Sequence, residues 1–434
     1  MTVDKTSETP LYKQLGDALL EKIKSGEILP RERLPAIRTL AASLCVNNTT
    51  VVAAYKYLER QNAAYSIRGS GTFAAVPPGE AAGSGLSGIS DDCINFLSGA
   101  TDPALFPADD FRYAFDAVLS RDGANAFSFP GHGGYAPLRE TLCEMYGKNI
   151  HVAQNINQGL ENLADVLLSP GDAVVIETPS APERAAFFVS RGVKVLEVPV
   201  NESGIDVEKF SFFVKKFKPK VFFLTPNYQI PTTLCYTETE KVQILELAYN
   251  SKAYIIEEDT QNDFFYAQSP VSLRDMDERN RVICLKSFDR VLAPGLASFA
   301  ACPDEIINRG FGEASGYIQR GLGFYLKNCN FAGHLEMLRK EYGRRYNKAV
   351  SAAEKFLAPY AGFQKPGGGL GLCFNGLDIA DEILARKVLV APGALFSSDF
   401  SKVKPFFRIN FANVTEDEIS RGIGIIASVA GRCR

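Results

Sequence analysis

The chain is poor in the residues from which metal and redox sites are built. Its 434 residues include three histidines, His132, His151 and His334, far apart in sequence, and nine cysteines of which no two are spaced C-x-x-C. That scarcity argues against a metal site. The odd number of scattered cysteines reads as reduced, mostly buried thiols of a cytoplasmic protein. An apolar run of about 18 residues, the length of a membrane-spanning helix, is absent. The opening M-T-V-D-K-T-S-E-T-P also lacks the apolar core of a secretory leader.

What remains has the bulk character of a soluble multidomain protein, with 46% hydrophobic and 22% charged residues and length for two or three domains. The net charge of −3 is unevenly spread: residues 1–76 carry ten Lys/Arg against seven Asp/Glu, +3, which leaves −6 for the rest. A slightly basic head on an acidic body hints at nucleic acid for the head.

Three helices are predicted in the head. Leu11, Leu15, Leu19 and Ile23 recur at helical spacing and Gly26 is a plausible stop; a short helix begins near Pro35; a third opens with Asn47 as N-cap. The segment A-A-Y-S-I-R-G-S-G-T-F-A-A-V around Gly69–Gly71 reads as a hairpin. This is the order of a winged helix-turn-helix. Residues 77–92, rich in Gly, Ala, Ser and Pro without apolar period, read as a flexible linker. From 93 to 434, strand candidates D-A-V-V-I-E, V-K-V-L-E-V, K-V-F-F-L-T, A-Y-I-I-E-E and R-V-I-C-L alternate with helical stretches, which predicts an α/β domain with a mainly parallel sheet.

The stretches P-L-Y-K-Q-L, L-P-A-I-R-T-L-A-A-S-L-C-V, T-T-V-V-A-A-Y-K-Y-L and R-G-S-G-T-F, in that order, resemble the GntR family of bacterial winged-helix repressors. The resemblance implies an α+β DNA-binding domain over 1–76 whose second helix-turn-helix helix enters the major groove of duplex operator DNA. It puts Arg38 on a phosphate or base edge, Asn47 at the cap, and Asn48, Thr49 and Thr50 at the start of the recognition helix. Tyr55 packs behind that helix, and Arg68 and Gly69 lie in the wing. Asn48 stands where the family often has arginine, which removes one charged contact. The alternative for Arg38 is a solvated surface charge.

From residue 93 onward, Y-A-P-L-R-E-T-L, L-L-S-P-G-D, E-T-P, T-P-N-Y-Q-I-P-T, I-I-E-E-D-T and H-L-E-M-L-R-K-E-Y-G-R-R-Y resemble a fold-type I aminotransferase domain, with a smaller C-terminal α/β subdomain. Its union with a GntR-like head resembles the MocR regulators. In that family pyridoxal 5′-phosphate (PLP) is held as an imine on a lysine, and here that position is Arg290, in C-L-K-S-F-D-R. A guanidinium stays protonated and cannot form an imine. A slipped register would offer Lys286 instead, but the spacing to A-P-G-L fits Arg290. The other positions implied for the cofactor depart as well. Glu258 replaces the aspartate that meets the pyridinium nitrogen, and Thr260 replaces a tyrosine. Asn155 and Ile156 replace the Gly-Ala phosphate cup, where a bulky Ile156 would crowd the phosphate. Ala181 replaces a stacking aromatic, Asp289 a serine, and Ala297 a phosphate arginine. Tyr228 and Gln229 lie where the family contacts the ring oxygen and are candidates for direct effector contact. Arg408, in F-F-R-I-N-F-A, keeps the position of the arginine that clamps a substrate carboxylate. Its alternative is an internal salt bridge to a domain carboxylate.

The resulting expectation is a homodimeric, head-to-tail transcriptional regulator, catalytically inactive, without covalently bound PLP, sensing an amino acid-like carboxylate. The competing expectations are an active PLP aminotransferase or PLP sensor with a regulatory head, and a dimeric DNA-binding protein with no ligand.

Overall fold

The structure, a computed structural model, describes residues 9–24, 28, 34–44, 46–61, 63–67, 71–74, 93–147, 149–303, 306, 315–397 and 405–432. The chain divides into two units, Met1–Ser90 and Asp91–Arg434.

In the first unit, helices α1 (Leu11–Lys24), α2 (Ile37–Leu44) and α3 (Asn48–Arg60) are followed by strands β1 (Ala64–Ile67) and β2 (Gly71–Ala74), an antiparallel hairpin. The apolar stripe of α1 buries Leu15, Leu19 and Ile23 against Leu40, Val51, Ala54 and Leu58. Close approach of α1 to α3 requires Gly16, because a Cβ there would overlap the Tyr57 ring. The Tyr57 hydroxyl donates to Asp17 at 2.7 Å across the same contact. Helix α2 begins two residues after Pro35, since the Ala36 carbonyl accepts the first helical bond from the Leu40 amide. The proposed stop at Gly26 and the linker 77–92 lie outside the described residues.

The second unit has three sheets, one of them a two-stranded parallel pair of Ile94–Asn95 with Val388–Leu389. Its strands are β3 (Ile94–Asn95), β4 (Asn149–Ala153), β5 (Ala173–Thr178), β6 (Lys194–Asn201), β7 (Gly204–Ile205), β8 (Val221–Leu224), β9 (Tyr254–Asp259), β10 (Val282–Ser287), β11 (Ser298–Cys302), β12 (Gly362–Phe363), β13 (Gly371–Asn375), β14 (Val388–Leu389), β15 (Ala391–Pro392) and β16 (Phe406–Asn410). Its helices are α4 (Ala108–Asp122), α5 (Ala136–Tyr146), α6 (Ile156–Leu167), α7 (Pro182–Ser190), α8 (Val207–Phe217), α9 (Glu238–Ser251), α10 (Gly316–Asn328), α11 (Phe331–Ala352), α12 (Ala380–Leu384) and α13 (Glu416–Ala430).

The large sheet runs β4-β11-β10-β9-β8-β5-β6-β7. The pairs from β10 through β9, β8 and β5 to β6 are parallel, and the flanking β4, β11 and β7 pair antiparallel. The sheet is therefore mixed, with a parallel centre. Central strands such as Val221–Leu224 are buried throughout, as strands covered on both faces must be. The small sheet, β12-β13-β16-β15, is antiparallel, and its Phe374, Phe407 and Ile409 pack with Ile419, Ile423 and Ile426 of α13. Among the described residues no helix is long and apolar enough to cross a membrane.

Candidate functional site

In the head, Asn47 caps α3 by accepting the Thr49 amide at 3.2 Å, and Tyr55 anchors the helix from behind through a 2.6 Å bond to the Pro35 carbonyl. Asn47, Asn48 and Thr49 are exposed, Thr50 is half-buried, and Arg38 is exposed on α2. Val52 and Lys56 are exposed one and two turns beyond Thr49, on the same face. Sequence reasoning missed both, although the i, i+3, i+7 spacing from Thr49 could have marked them. Arg68 and Gly69 lie outside the described residues.

In the second unit, consecutive residues of β9 point to opposite faces of the sheet. Glu258 pairs with Arg184 of α7 at 3.1 Å, and Arg184 also donates to Asn157 at 2.7 Å and lies over the Phe223 ring. Its neighbour Asp259 faces the other way and, with Asp263, holds Lys286 of β10 at 3.2 and 2.8 Å. Burial works against the Lys286 charge, but the two carboxylates outweigh it and hold the ammonium well above its ordinary value. Lys286 is thus a fixed cation on the opposite face from Glu258. Thr260 is half-buried beyond the strand end.

The start of α6 carries a side-chain cap. The Asn155 side chain accepts the Gln158 amide at 2.9 Å, and the Gln158 side chain accepts the Gln154 amide at 2.7 Å. Ile156 does not crowd this helix end, as the sequence had suggested. It packs into the core beside Leu160, because the helix turns it under the sheet. What competes with an incoming phosphate is the cap formed by Asn155 and Gln158. Ala181 begins α7 half-buried and offers no cap and no ring. Asp289 is half-buried with one carboxylate oxygen unpartnered, and burial pushes it up.

Gln229 does not face a ligand. Fully buried, it donates to Glu177 at 3.2 Å and to the Pro179 carbonyl at 2.8 Å, and accepts from Thr232 at 2.6 Å. Its amide is consumed in supporting the turn, which only the tertiary arrangement shows. Burial raises Glu177 to about 7 despite hydrogen bonds from Tyr236, the Thr225 amide and Gln229. Tyr228 packs its ring beneath Gly368 and Gly369.

Arg408 is central in β16, only 6% exposed, and its Nε has no hydrogen-bond partner. Buried Arg345 on α11 makes the contrast, since it is paired to Asp102 at 2.6 Å and Glu341 at 3.1 Å. Among the described residues, neither Arg408 nor half-buried Arg290 is ion-paired. Burial lowers both guanidiniums; the charge of Arg290 adds to the effect on Arg408, which falls to about 10. The fully buried Tyr342 hydroxyl lies within electrostatic reach of Arg290.

These residues do not suit PLP. Glu258 is spent on Arg184, the Gln158 amide of α6 is capped by Asn155, and Arg290 cannot form an imine. What remains is two guanidiniums, Arg290 and Arg408, without ion pairs among the described residues.

The two units thus define a winged-helix head and an aminotransferase-type domain. The head, residues 11–74, matches the model of bacterial regulatory proteins, gntR family. Residues 92–309 match the aminotransferase class I and II model, half of the chain, and the chain belongs to that family. Similar proteins include the HTH-type transcriptional regulator YdeL of Bacillus subtilis, 26% identical over 97% of both chains. Another is the "Probable rhizopine catabolism regulatory protein MocR" of Rhizobium meliloti, 23% identical over 89% of this chain and 86% of that protein. Among solved structures, Pyrococcus horikoshii kynurenine aminotransferase superposes with TM-score 0.72 at 25% identity, covering 79% of this chain and 92% of its own. LysN of Thermus thermophilus, at 23% identity and TM-score 0.72, shares the fold, covering 82% of this chain and 96% of its own. The chain therefore joins a gntR-type DNA-binding head to an aminotransferase-like domain, as a transcriptional regulator homologous to the MocR type.

Proposed function

We propose that this regulator binds operator DNA as a homodimer, and that its aminotransferase-like domain senses a carboxylate-bearing, amino acid-like metabolite without PLP imine chemistry. The observation that carries the sensing role is Arg408, a buried guanidinium with an orphaned Nε and no ion pair among the described residues. An uncompensated buried charge is costly, and an anionic ligand relieves that cost. Loss of catalysis is supported by Arg290 at the imine position and by the Glu258–Arg184 pair.

A bound metabolite changes DNA occupancy only through different affinity for two arrangements of the protein. Calorimetry against a panel of amino acids and related carboxylates, with wild type and Arg408→Ala, tests the reading. Uptake by wild type that is lost in the variant supports it; equal uptake by both makes Arg408 a structural residue and moves the sensor elsewhere. The DNA role is checked by binding to a mapped operator. Arg38→Ala costs about 1–3 kcal/mol there if it reads a base, or lowers affinity on all sequences with a salt slope smaller by about one if it holds phosphate.

A further inference from the structure

We propose that the outer face of α8, with Lys194 of β6 beside it, is a second and sequence-independent contact for duplex DNA, holding the phosphates that flank the operator. The proposal rests on operator binding by the head. Helix α8 and the residues that follow it, 207–220, carry five lysines against one glutamate, +4, in a chain whose residues after 76 sum to −6. A local reversal of charge of this kind fits a polyanion.

The face is continuous. Phe210 and Val214 turn into the core, which leaves Phe212, Phe213 and Phe217 toward the outside, with Phe212 52% exposed. The Phe213 ring lies 5.9 Å from each of the other two. Lys194 Nζ sits 3.9 Å over the Phe217 ring, Lys216 Nζ 5.1 Å over Phe212, and Lys209 Nζ 5.5 Å over Phe213. Lys215 lines one cleft with Phe212. Lys194 reaches this face because strand residues alternate. It lies on the side of Leu196 and Val198, which share a core cluster with Phe210 and Val214, while Glu197 lies on the other side.

Lys194, Lys215 and Lys216 are exposed and Lys209 is half-buried, and none of the four has an ion pair among the described residues. Lys220, by contrast, is paired with Asp172 at 2.8 Å. Helix polarity accounts for Lys215 and Lys216, since cations in the last turn complement its carbonyl end. It does not account for Lys209 in the first turn, where a cation is disfavoured, or for Lys194 on a strand. Aromatic rings hold three of these ammoniums in place without neutralising them, so their charge stays available to an anion. An ammonium is a compact point charge suited to a phosphate oxygen, and phosphate contacts carry no base sequence. Once the head holds an operator, the adjoining duplex is at raised effective concentration.

The test is the salt dependence of DNA binding by the full-length protein, read by fluorescence anisotropy on two duplexes. One is the operator as mapped by footprinting; the other is the same operator extended by about 20 bp of arbitrary sequence on each side. On the extended duplex, wild type is expected to show a slope of log affinity against log salt steeper by about 2 or more, since each phosphate engaged adds about 0.9. In the triple variant Lys194→Gln, Lys215→Gln, Lys216→Gln that excess disappears, while affinity and slope on the operator alone stay as in wild type. Equal slopes on the two duplexes in wild type overturn the proposal, as does an excess retained in the variant. Tighter binding to vesicles of phosphatidylcholine and phosphatidylglycerol than to the extended duplex also overturns it, and makes the face a lipid contact. The wild-type comparison decides even where the variant does not fold. Operator binding that extension leaves unchanged removes this proposal and leaves the operator reading standing; no binding to either duplex removes both.

Discussion

Arg290 and Lys286 stand four residues apart and do opposite things. Lys286 is a permanent cation between Asp259 and Asp263, whereas Arg290 has no bonded acid among the described residues. On the proposed reading an amine at 290 is not enough for PLP, because Arg184 still occupies Glu258 and Asn155 still caps α6. Arg290→Lys, mixed with PLP, is expected to show no new visible absorbance and no borohydride-trapped lysine adduct. A yellow, trappable product would mean that Arg290 alone blocks the cofactor. Removing the plug has its own signature: Arg184→Ala leaves the largely buried Glu258 carboxylate unpaired, a loss of about 1–3 kcal/mol in chemical denaturation. Arg184→Lys recovers part of it.

Helix α3 carries two separable functions. Its cap is local chemistry, so Asn47→Ala is expected to cost about 1 kcal/mol of head stability, read as a lower melting temperature of the head. Its outer face is recognition chemistry. Lys56→Ala should reduce the salt slope of DNA binding by about one while leaving sequence preference intact. Val52→Ala removes an exposed apolar group suited to a thymine methyl, and is expected to relax preference at one base pair, measured by binding to a randomised operator library.

Across the whole second unit, the buried carboxylates set a pH dependence. Burial raises Glu177 and Glu257 from 4.5 to about 7, although Glu257 accepts the Leu273 and Arg274 amides at 3.0 Å. The folded state thus holds protons that the unfolded chain releases above 4.5. Stability is highest below that pH and is lost as pH rises toward about 7, by up to about 3 kcal/mol per group. Wild type should melt at lower temperature at pH 7.5 than at pH 5, and Glu257→Gln should flatten that part of the profile. An unchanged slope in the variant would assign the pH dependence to other groups.

The sequence by itself determined what is written in local pattern. The stripe Leu15, Leu19, Ile23, the Asn47 cap and the central strands are all readable from residue type and spacing, because periodicity and capping act over a few residues. The antiparallel strands β4 and β11 were not read, being short runs that include small or polar residues such as Asn149, His151, Ser298 and Ala300. The tertiary structure alone decided which side chains meet. Arg184 and Glu258 are 74 residues apart, Gln229 and Glu177 are 52 apart, and Ile156 belongs to the core rather than to the phosphate cup. Burial, ion pairing and their absence at Arg408 depend on chain crossings between two sheets, and no local pattern encodes those crossings.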